Sequence, residues 1–437
     1  MQKDILFALF IMFAVLSACG RESHGVDEDE LPRGFIQDMG GREIRIVASW
    51  PYLGSMPHEY IQHISHAYNV TISTPVIGHL DLLPRMSLGA RSGRPLAETI
   101  WLSGDMMFPA ITSDLIYALD EFVRVETFFQ EPSAIVPNAQ FVDLYWSFRP
   151  NHLLPLEGAF LGVNRDVLRA MGVEEDPLEL WLLGEWDFEA FRAILNQTTG
   201  IGVDGVQYYG ISGMPAEIIA HLIAANDGIT VYNYAPGYGR PHTIAALEFA
   251  MQIFRNDRTW YYHHGVHDLR GNQRAFLQGR AAFFPISEWL LQHQSEIGFS
   301  YTIVPFPTGP DNDKGYTFVK GFSPGMVIPR GIPNPNEVLT VFDAIFQQAD
   351  WNALRIEERV QVHNAFHSPF DAERALDIMR NQGKFDLGQA VPTYYWVNSG
   401  FADIFVNETM TVNQAVEQFH ESQQAILDNA LARWRIN

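Results

Sequence analysis

The 437-residue sequence is poor in cysteine, in basic side chains and in long apolar runs. A single cysteine excludes any disulfide within the chain, so stability has to come from the core. Lysine and arginine number 29 against 51 aspartate and glutamate, a net charge of −22. Nucleic acid and anionic lipid headgroups are therefore poor partners, because they need clustered basic side chains. Beyond the first twenty residues, no apolar run is long enough to span a bilayer.

Sequence motifs for several common chemistries are also missing. The chain has no Gly-x-Ser-x-Gly, Walker or dinucleotide-binding motif. His263, His264 and His267 lie close together, but no cysteine or His-Glu-x-x-His pattern accompanies them, so we expect a surface or cleft-rim cluster. Residues 202–207 lack the alternating acidic ligands of a calcium loop. The sequence thus predicts neither a metal nor a cofactor.

The only cysteine ends a distinctive N-terminal segment. The apolar run Ile5–Leu16 is shorter than the roughly 20 residues of a membrane span and is typical of a secretory signal. Its ending, Leu-Ser-Ala-Cys19, resembles a bacterial lipobox, in which the cysteine is lipidated and becomes the mature N-terminus. We therefore expect a signal peptide over 1–18, a lipidated, flexible tether over 19–41 and an extracytoplasmic location at the bacterial cell membrane. The alternative is a cytosolic protein with a free thiol.

The length favours two or three domains, and the 47% of hydrophobic residues suits a folded globular protein. Strand-like runs alternate with helical patterns, which predicts an α/β fold with a largely parallel sheet. Strands are expected over 42–50, 70–76, 98–102, 159–163, 208–211, 280–286, 301–307 and 325–329. Helices are expected over 114–123, over 165–171 with Asn164 as N-cap, after the N-cap Asp187, and over most of the chain beyond 338.

Six stretches, taken in order, carry a resemblance to a known family. They are the Cys19 segment, the first strand ending at Trp50, and the runs 100–105, 184–191, 276–283 and 303–307. In these stretches the chain resembles the bacterial extracellular solute-binding proteins of the maltodextrin-type sugar-binding group (family 1), which are receptors of ABC importers. Each stretch alone is weak evidence, whereas their occurrence in family order spans nearly the whole mature chain.

The resemblance implies a type II periplasmic-binding-protein fold, with two discontinuous α/β lobes and a ligand cleft between them. The first lobe would comprise 42–148 plus 317–346, and the second 156–300 plus 351–437. Hinge crossings would lie at 149–155, 304–308 and 347–350. Prolines cluster at the first two crossings, which suits a change of direction between lobes.

A sugar receptor needs aromatic plates for the apolar faces of the ring and polar groups for its hydroxyls. The candidate ligand-binding residues are Trp50, Asp105, Glu288, Trp289, Tyr395 and Trp396. Trp50 and Asp105 follow predicted strands, where α/β sheets place ligands. By the resemblance, Trp289 beside Glu288, and Trp396 beside Tyr395, would offer stacking rings. The alternatives are core aromatics and a helix-capping aspartate.

Other aromatic and basic residues are less informative. Trp101 lies within a predicted strand and is expected in the core, and Lys320 is expected at the surface. Residues 260–262 either line the cleft or pack.

The resulting hypothesis is a non-catalytic, lipid-anchored, monomeric receptor that captures a carbohydrate by hinge closure and then docks on an ABC permease. The rivals are an exported carbohydrate-active enzyme, with Asp105 and Glu288 as paired carboxylates, and a surface sensory or adhesin protein without a permease.

Overall fold

The computed structural model describes most of the chain. The described residues are 36–49, 58–130, 132–151, 159–261, 269–287, 297–299, 301–347, 360, 362–364, 366, 368–381, 383–391, 400, 401, 404 and 410–432. Within these residues, no helix is both long and apolar enough to cross a membrane.

Most of the described strands belong to two larger sheets. In chain order the strands are β1 (Arg42–Val47), β2 (Val70–Ser73), β3 (Thr99–Leu102), β4 (Ile135–Phe141), β5 (Leu144–Pro150), β6 (Ala159–Val163), β7 (Gly200–Ile201), β8 (Gln207–Ile211), β9 (Val231–Tyr232), β10 (Ala235–Pro236), β11 (Ala281–Ser287), β12 (Thr302–Val304), β13 (Phe318–Lys320), β14 (Gly325–Val327) and β15 (Gly383–Phe385).

Helices separate most of these strands. They are α1 (His58–Ala67), α2 (His79–Ser92), α3 (Gly104–Thr112), α4 (Val125–Phe128), α5 (Arg165–Ala170), α6 (Pro177–Leu183), α7 (Phe188–Gln197), α8 (Pro215–Ala225), α9 (Pro241–Met251), α10 (Leu269–Leu277), α11 (Pro335–Gln347), α12 (Pro369–Asn381), α13 (Leu387–Ala390) and α14 (Val412–Leu431).

The first sheet has the order β2-β1-β3-β14-β5-β4. Strand β1 pairs in parallel with both β2 and β3, whereas β14, β5 and β4 join in antiparallel fashion. One face of this sheet is covered by α11, whose Phe342 stacks edge to face on Phe148 of β5 at 5.1 Å between ring centroids. Ile44 and Ile46 of β1 are buried in the same apolar cluster, as expected for the inner face of an alternating strand.

The second sheet has the order β12-β6-β11-β8-β7. Strand β11 runs parallel to β8 but antiparallel to β6, and β12 is antiparallel to β6. Both sheets are therefore mixed. The predicted α/β class is correct, but the expectation of a largely parallel sheet is wrong. The error arose because alternating strands and helices reveal neither the β4–β5 hairpin nor the direction in which β6 and β14 enter one sheet from the other.

Local signals in the sequence explain several helix boundaries. Asn164 accepts hydrogen bonds from the backbone N–H groups of Asp166 and Val167, and so caps α5 as predicted. Asp187 caps α7 through the N–H of Ala190. The helix predicted over 114–123 is wrong, because Asp114 has a φ of 56° and only one 3-10 turn forms, at Leu119–Glu121. Helical spacing there reflects a buried loop.

The two sheets are connected by segments that leave one and enter the other. The first such segment begins where β5 of the first sheet ends, at Pro150, and leads to β6 of the second sheet, which begins at Ala159. Strand β12 belongs to the second sheet and β14 to the first, with β13 between them. Strand β13 pairs in parallel with β15, which lies far along the chain. The chain therefore passes between the two sheets more than once, and each sheet contains strands from separate parts of the sequence.

Candidate functional site

Asp105 lies at the carboxyl end of a strand of the first sheet. Strand β3 ends at Leu102, and Asp105 occupies the first turn of α3, where a negative charge is favoured by the helix dipole. The Ser103 hydroxyl donates to its Oδ1. The side chain is 63% exposed, so the carboxylate faces solvent and is open to a ligand.

His79, the first residue of α2, meets Asp105 across the same edge of the sheet. Its Nε2 lies 3.5 Å from Asp105 Oδ2, and its own side chain is 45% exposed. The contact follows from the strand order, since β2 and β3 flank β1 and all three run in parallel. Their carboxyl ends therefore open onto one edge, where α/β folds place ligands. Trp50 follows the central strand of the three in the sequence.

The loop that carries Asp105 is held by a close backbone approach. A Cβ at Gly104 would lie 2.0 Å from the Phe322 carbonyl oxygen, so only glycine permits this contact. Beneath the loop, Met107 and Phe108 of α3 are fully buried, and Phe108 packs edge to face on Phe141 at 5.5 Å. Asp105 thus stands on a rigid support while its carboxylate stays exposed.

The second sheet also has an edge at which the carboxyl ends of parallel strands lie side by side. Strands β8 and β11 are parallel neighbours, so Ile211 and Ser287 end them on the same side. The segment after β8 is fixed by Trp260, whose Nε1 donates to the Gly213 carbonyl at 3.0 Å. Glu288 and Trp289 come directly after β11 in the sequence.

Aromatic rings beside α3 connect the first sheet to the β9–β10 hairpin and to β15. Phe141, at the end of β4, contacts both Phe322, at 6.2 Å, and Tyr234, at 6.1 Å, in the turn between β9 and β10. Phe322 in turn packs against Phe385 of β15 at 5.2 Å. Helix α13 packs on α3 next to this cluster. Sequence reasoning missed these residues because none stands in a recognisable motif.

Most of the predicted ligand-binding residues fall outside the described part of the chain. These are Trp50, Glu288, Trp289, Tyr395 and Trp396; the proposed lipidation site Cys19 and the cluster His263, His264 and His267 lie outside it as well. Asp105 is therefore the predicted site residue whose surroundings are described. Among the described residues, no group of histidine, cysteine and acidic side chains is arranged to hold a metal ion.

Of the residues that the sequence left ambiguous, Tyr262 lies outside the described part of the chain, and the others have defined surroundings. Trp260 is 6% exposed and Tyr261 is 7% exposed, so both pack in the core and do not line a cleft. Trp101 is half-buried against the first sheet's apolar cluster, and Lys320 is half-buried in β13. The Asp204 carboxylate accepts a hydrogen bond from the Tyr208 hydroxyl at 2.7 Å, and this bond lowers the pKa of Asp204. The carboxylate therefore has a protein partner and needs no bound cation.

A separate pocket of about 330 Å³ lies at the opposite edge of the second sheet. Its polar lining includes Arg165, Arg169 and Arg374, and each guanidinium is already paired with a carboxylate. Burial raises the pKa of Tyr301 in its wall. The charged groups of the pocket are therefore already paired, and its Thr302 is level with Val163, at the other end of β6 from the partner of Ser287.

Comparison with known proteins identifies the fold. No family model and no curated protein matches the chain. Among solved structures, UspC of M. tuberculosis has a TM-score of 0.63 at 13% identity, over 88% of this chain and 100% of its own. UgpB from Mycobacterium tuberculosis, in complex with glycerophosphocholine, has a TM-score of 0.62 at 16% identity, over 90% and 100%.

A cyclo/maltodextrin-binding protein, complexed with maltotetraose, has a TM-score of 0.61 at 11% identity, over 90% of this chain and 97% of its own. A maltose-binding periplasmic protein from Listeria monocytogenes, in complex with maltose, has a TM-score of 0.60 at 12% identity, over 91% and 99%. The likeness at these identities is one of fold. The chain has the type II periplasmic-binding-protein fold, as the family resemblance implied.

Proposed function

We propose that this protein is the extracytoplasmic substrate-binding receptor of an ABC importer, and that it captures a carbohydrate between its two lobes. Lipid on Cys19 would anchor it to the cell membrane, and closure of the lobes around the ligand would create the form that docks on the permease. The protein would act as a monomer and without catalysis. The lobes and hinge crossings would be those that the family resemblance implies.

The observation that carries the proposal is the shared fold, which extends over about nine-tenths of the chain and almost all of each neighbour. Two neighbours are named for complexes with maltotetraose and maltose. The exposed carboxylate of Asp105, at the strand edge, supplies the hydrogen-bond acceptor that a hydroxyl-rich ligand requires. Fold and site chemistry support the same class of ligand.

The proposed site combines residues from both strand edges. Asp105 would accept hydroxyl donors, and Trp50, after β1, would stack on an apolar sugar face. Glu288 and Trp289, after β11, would play the corresponding parts on the second lobe, with Tyr395 and Trp396 as a further plate. Two stacking contacts at about 1 kcal/mol each, with two or three charged hydrogen bonds at roughly 1.5–3 kcal/mol, offset the cost of closure. Micromolar affinity corresponds to about −8 kcal/mol.

The test is a thermal-shift screen of the unlipidated mature chain against maltose, maltotetraose, tagatose, trehalose and glycerophosphocholine, with hits quantified by calorimetry. A bound ligand raises the Tm by mass action. Trp50→Ala and Trp289→Ala should each weaken the best hit about tenfold, and Asp105→Asn by at least as much. Asp166→Asn is the matched control, since Asp166 is an exposed carboxylate in the first turn of α5. A screen without hits contradicts the proposal.

Two further measurements separate the rival functions and the anchor. Incubation of the protein with oligosaccharides at catalytic concentrations should yield no shorter products, whereas turnover would identify an enzyme that uses Asp105 with Glu288. Mass spectrometry of protein extracted from membranes should find an acylated Cys19, and Cys19→Ala should release the protein from them.

A further inference from the structure

We propose that His79 is a ligand-contacting residue and that His79 and Asp105 together recognise one neutral hydroxyl group of the carbohydrate. The inference rests on the proposed function and deepens it, since it assigns the site a defined hydrogen-bonding requirement. Asp105 was expected from the sequence. His79 lies 26 positions earlier and belongs to no motif.

The two side chains are close enough for a single ligand hydroxyl to bridge them. His79 Nε2 and Asp105 Oδ2 are 3.5 Å apart, beyond the usual range of roughly 2.7–3.2 Å for an N–H···O bond. Ser103 already occupies the other carboxylate oxygen, Oδ1. Both side chains are substantially exposed, so neither is buried in the core and both are accessible to a ligand.

The start of helix α2 and the segment before it hold His79 in place. It opens α2, whose Leu82 and Met86 are buried against the core, so the helix start is fixed in place. The Ile77 N–H donates to the Ala48 carbonyl at 3.0 Å, which ties the segment before α2 to the end of β1. His79 therefore stands at the edge of the sheet where β1, β2 and β3 end.

The chemistry of the pair selects for a hydroxyl. A ring nitrogen that faces a carboxylate oxygen carries the proton, because two lone pairs would repel, so Nε2 is a donor. The carboxylate oxygen beside it is an acceptor. A hydroxyl satisfies both at once, accepting from His79 and donating to Asp105. An ammonium group has no lone pair for His79, and a carboxylate group would repel Asp105.

The experiment measures the affinity of the best carbohydrate from the screen and of its single deoxy and deoxyfluoro analogues. They are titrated into the wild-type chain and into His79→Ala, His79→Gln and the control His242→Ala. His242 is an exposed histidine at the start of α9, so its loss matches the chemical change at a distant place. The Tm of each variant without ligand checks that it is folded.

We expect His79→Ala to lower the affinity for the parent carbohydrate about tenfold or more. His79→Gln should recover most of this loss, because its amide N–H can replace the imidazole N–H as a donor. One deoxy analogue should bind wild type and His79→Ala equally, because it lacks the hydroxyl that His79 contacts in the parent carbohydrate. The deoxyfluoro analogue at that position should be no better, since fluorine cannot donate to Asp105. His242→Ala should bind like wild type.

Each other result overturns the inference. If a carbohydrate binds and His79→Ala leaves its affinity unchanged, the proposed function stands and the role of His79 is wrong. If His79→Ala weakens every analogue equally, His79 acts on the fold of the site and does not touch the hydroxyl. If nothing in the screen binds the wild-type chain, the proposed function fails and this inference fails with it.

Discussion

The ring of Phe141 meets the ring of Tyr234 edge to face, with centroids 6.1 Å apart and planes at 88°. Phe141 ends β4 in the first sheet, whereas Tyr234 belongs to the turn that joins β9 to β10. The backbone of Tyr234 has a φ of 61°, which is unfavourable for any residue but glycine, asparagine or aspartate. The protein thus tolerates a strained backbone at Tyr234, where the turn places the aromatic ring against Phe141 of the first sheet.

We predict that Tyr234→Ala lowers the free energy of unfolding by about 1 kcal/mol, since it removes the ring contact and keeps the strain. Tyr234→Gly removes the same ring but relieves the positive φ, and it creates an Asn-Gly turn of the kind that hairpins favour. It should therefore be clearly more stable than Tyr234→Ala in urea unfolding. Equal stability of the two variants would show that strain is unimportant at this turn.

Gly104→Ala should destabilise the protein by about 2–3 kcal/mol, because the new Cβ would collide with the Phe322 carbonyl oxygen. The same shift would move Asp105, so affinity for the carbohydrate should fall as well. Gly78→Ala is the matched control, as Gly78 precedes α2 with a φ of −55° and has no atom near the added Cβ. Its stability should stay within about 0.5 kcal/mol of wild type. Similar effects of both substitutions would contradict the close approach.

Stability should decline in mild acid partly because of His221. Burial lowers the pKa of His221 to about 3, and its Nδ1 accepts from the Val319 N–H at 3.2 Å. In the unfolded chain the pKa is near 6.5, so between these values only the unfolded state binds the proton. The stability that the neutral His221 contributes is intact above about pH 6.5. It is lost as the pH falls, and the loss reaches about 2 kcal/mol at about pH 5.

The variant His221→Asn isolates this effect, since asparagine keeps an acceptor near Nδ1 and does not titrate. Urea unfolding at two pH values, one neutral and one near 5, should show a larger loss for wild type than for His221→Asn, by about 2 kcal/mol. Titrating carboxylates affect both proteins alike and cancel in the comparison. Parallel pH profiles would mean that His221 is not buried in its neutral form.

Asp386→Asn should cost about 1–3 kcal/mol in unfolding experiments. The carboxylate is buried and accepts from the Thr230 N–H and hydroxyl, at 2.6 and 2.9 Å, and from the Val231 and Gly388 N–H groups. Burial raises its pKa despite these donors. An amide would turn an NH₂ group toward a donor and leave it unsatisfied. Asp166→Asn, an exposed change, should cost far less; comparable losses would contradict a special role for Asp386.

Local patterns predicted eight of the described strands, the caps at Asn164 and Asp187 and the position of Asp105 after a strand, because each depends on residues close together in the sequence. The β4–β5 hairpin and the short strands β7, β9, β10, β13 and β15 were not predicted. The helix over 114–123 was wrong, since Asp114 adopts a positive φ in a loop that packs beside β14. Helical spacing and a buried loop can share the same apolar pattern, and only tertiary contacts distinguish them.

The sequence by itself determined where eight of the strands lie, which residues cap two helices and which aspartate would stand at a strand end, because these properties follow from side-chain alternation and capping within a few residues. The tertiary structure alone decided that His79 faces Asp105 and that Phe141 reaches Tyr234. Those pairs depend on strand order and on the meeting of two sheets, and the residues that form them are separated by long stretches of chain. Packing of the whole molecule, and no local signal, brings them together.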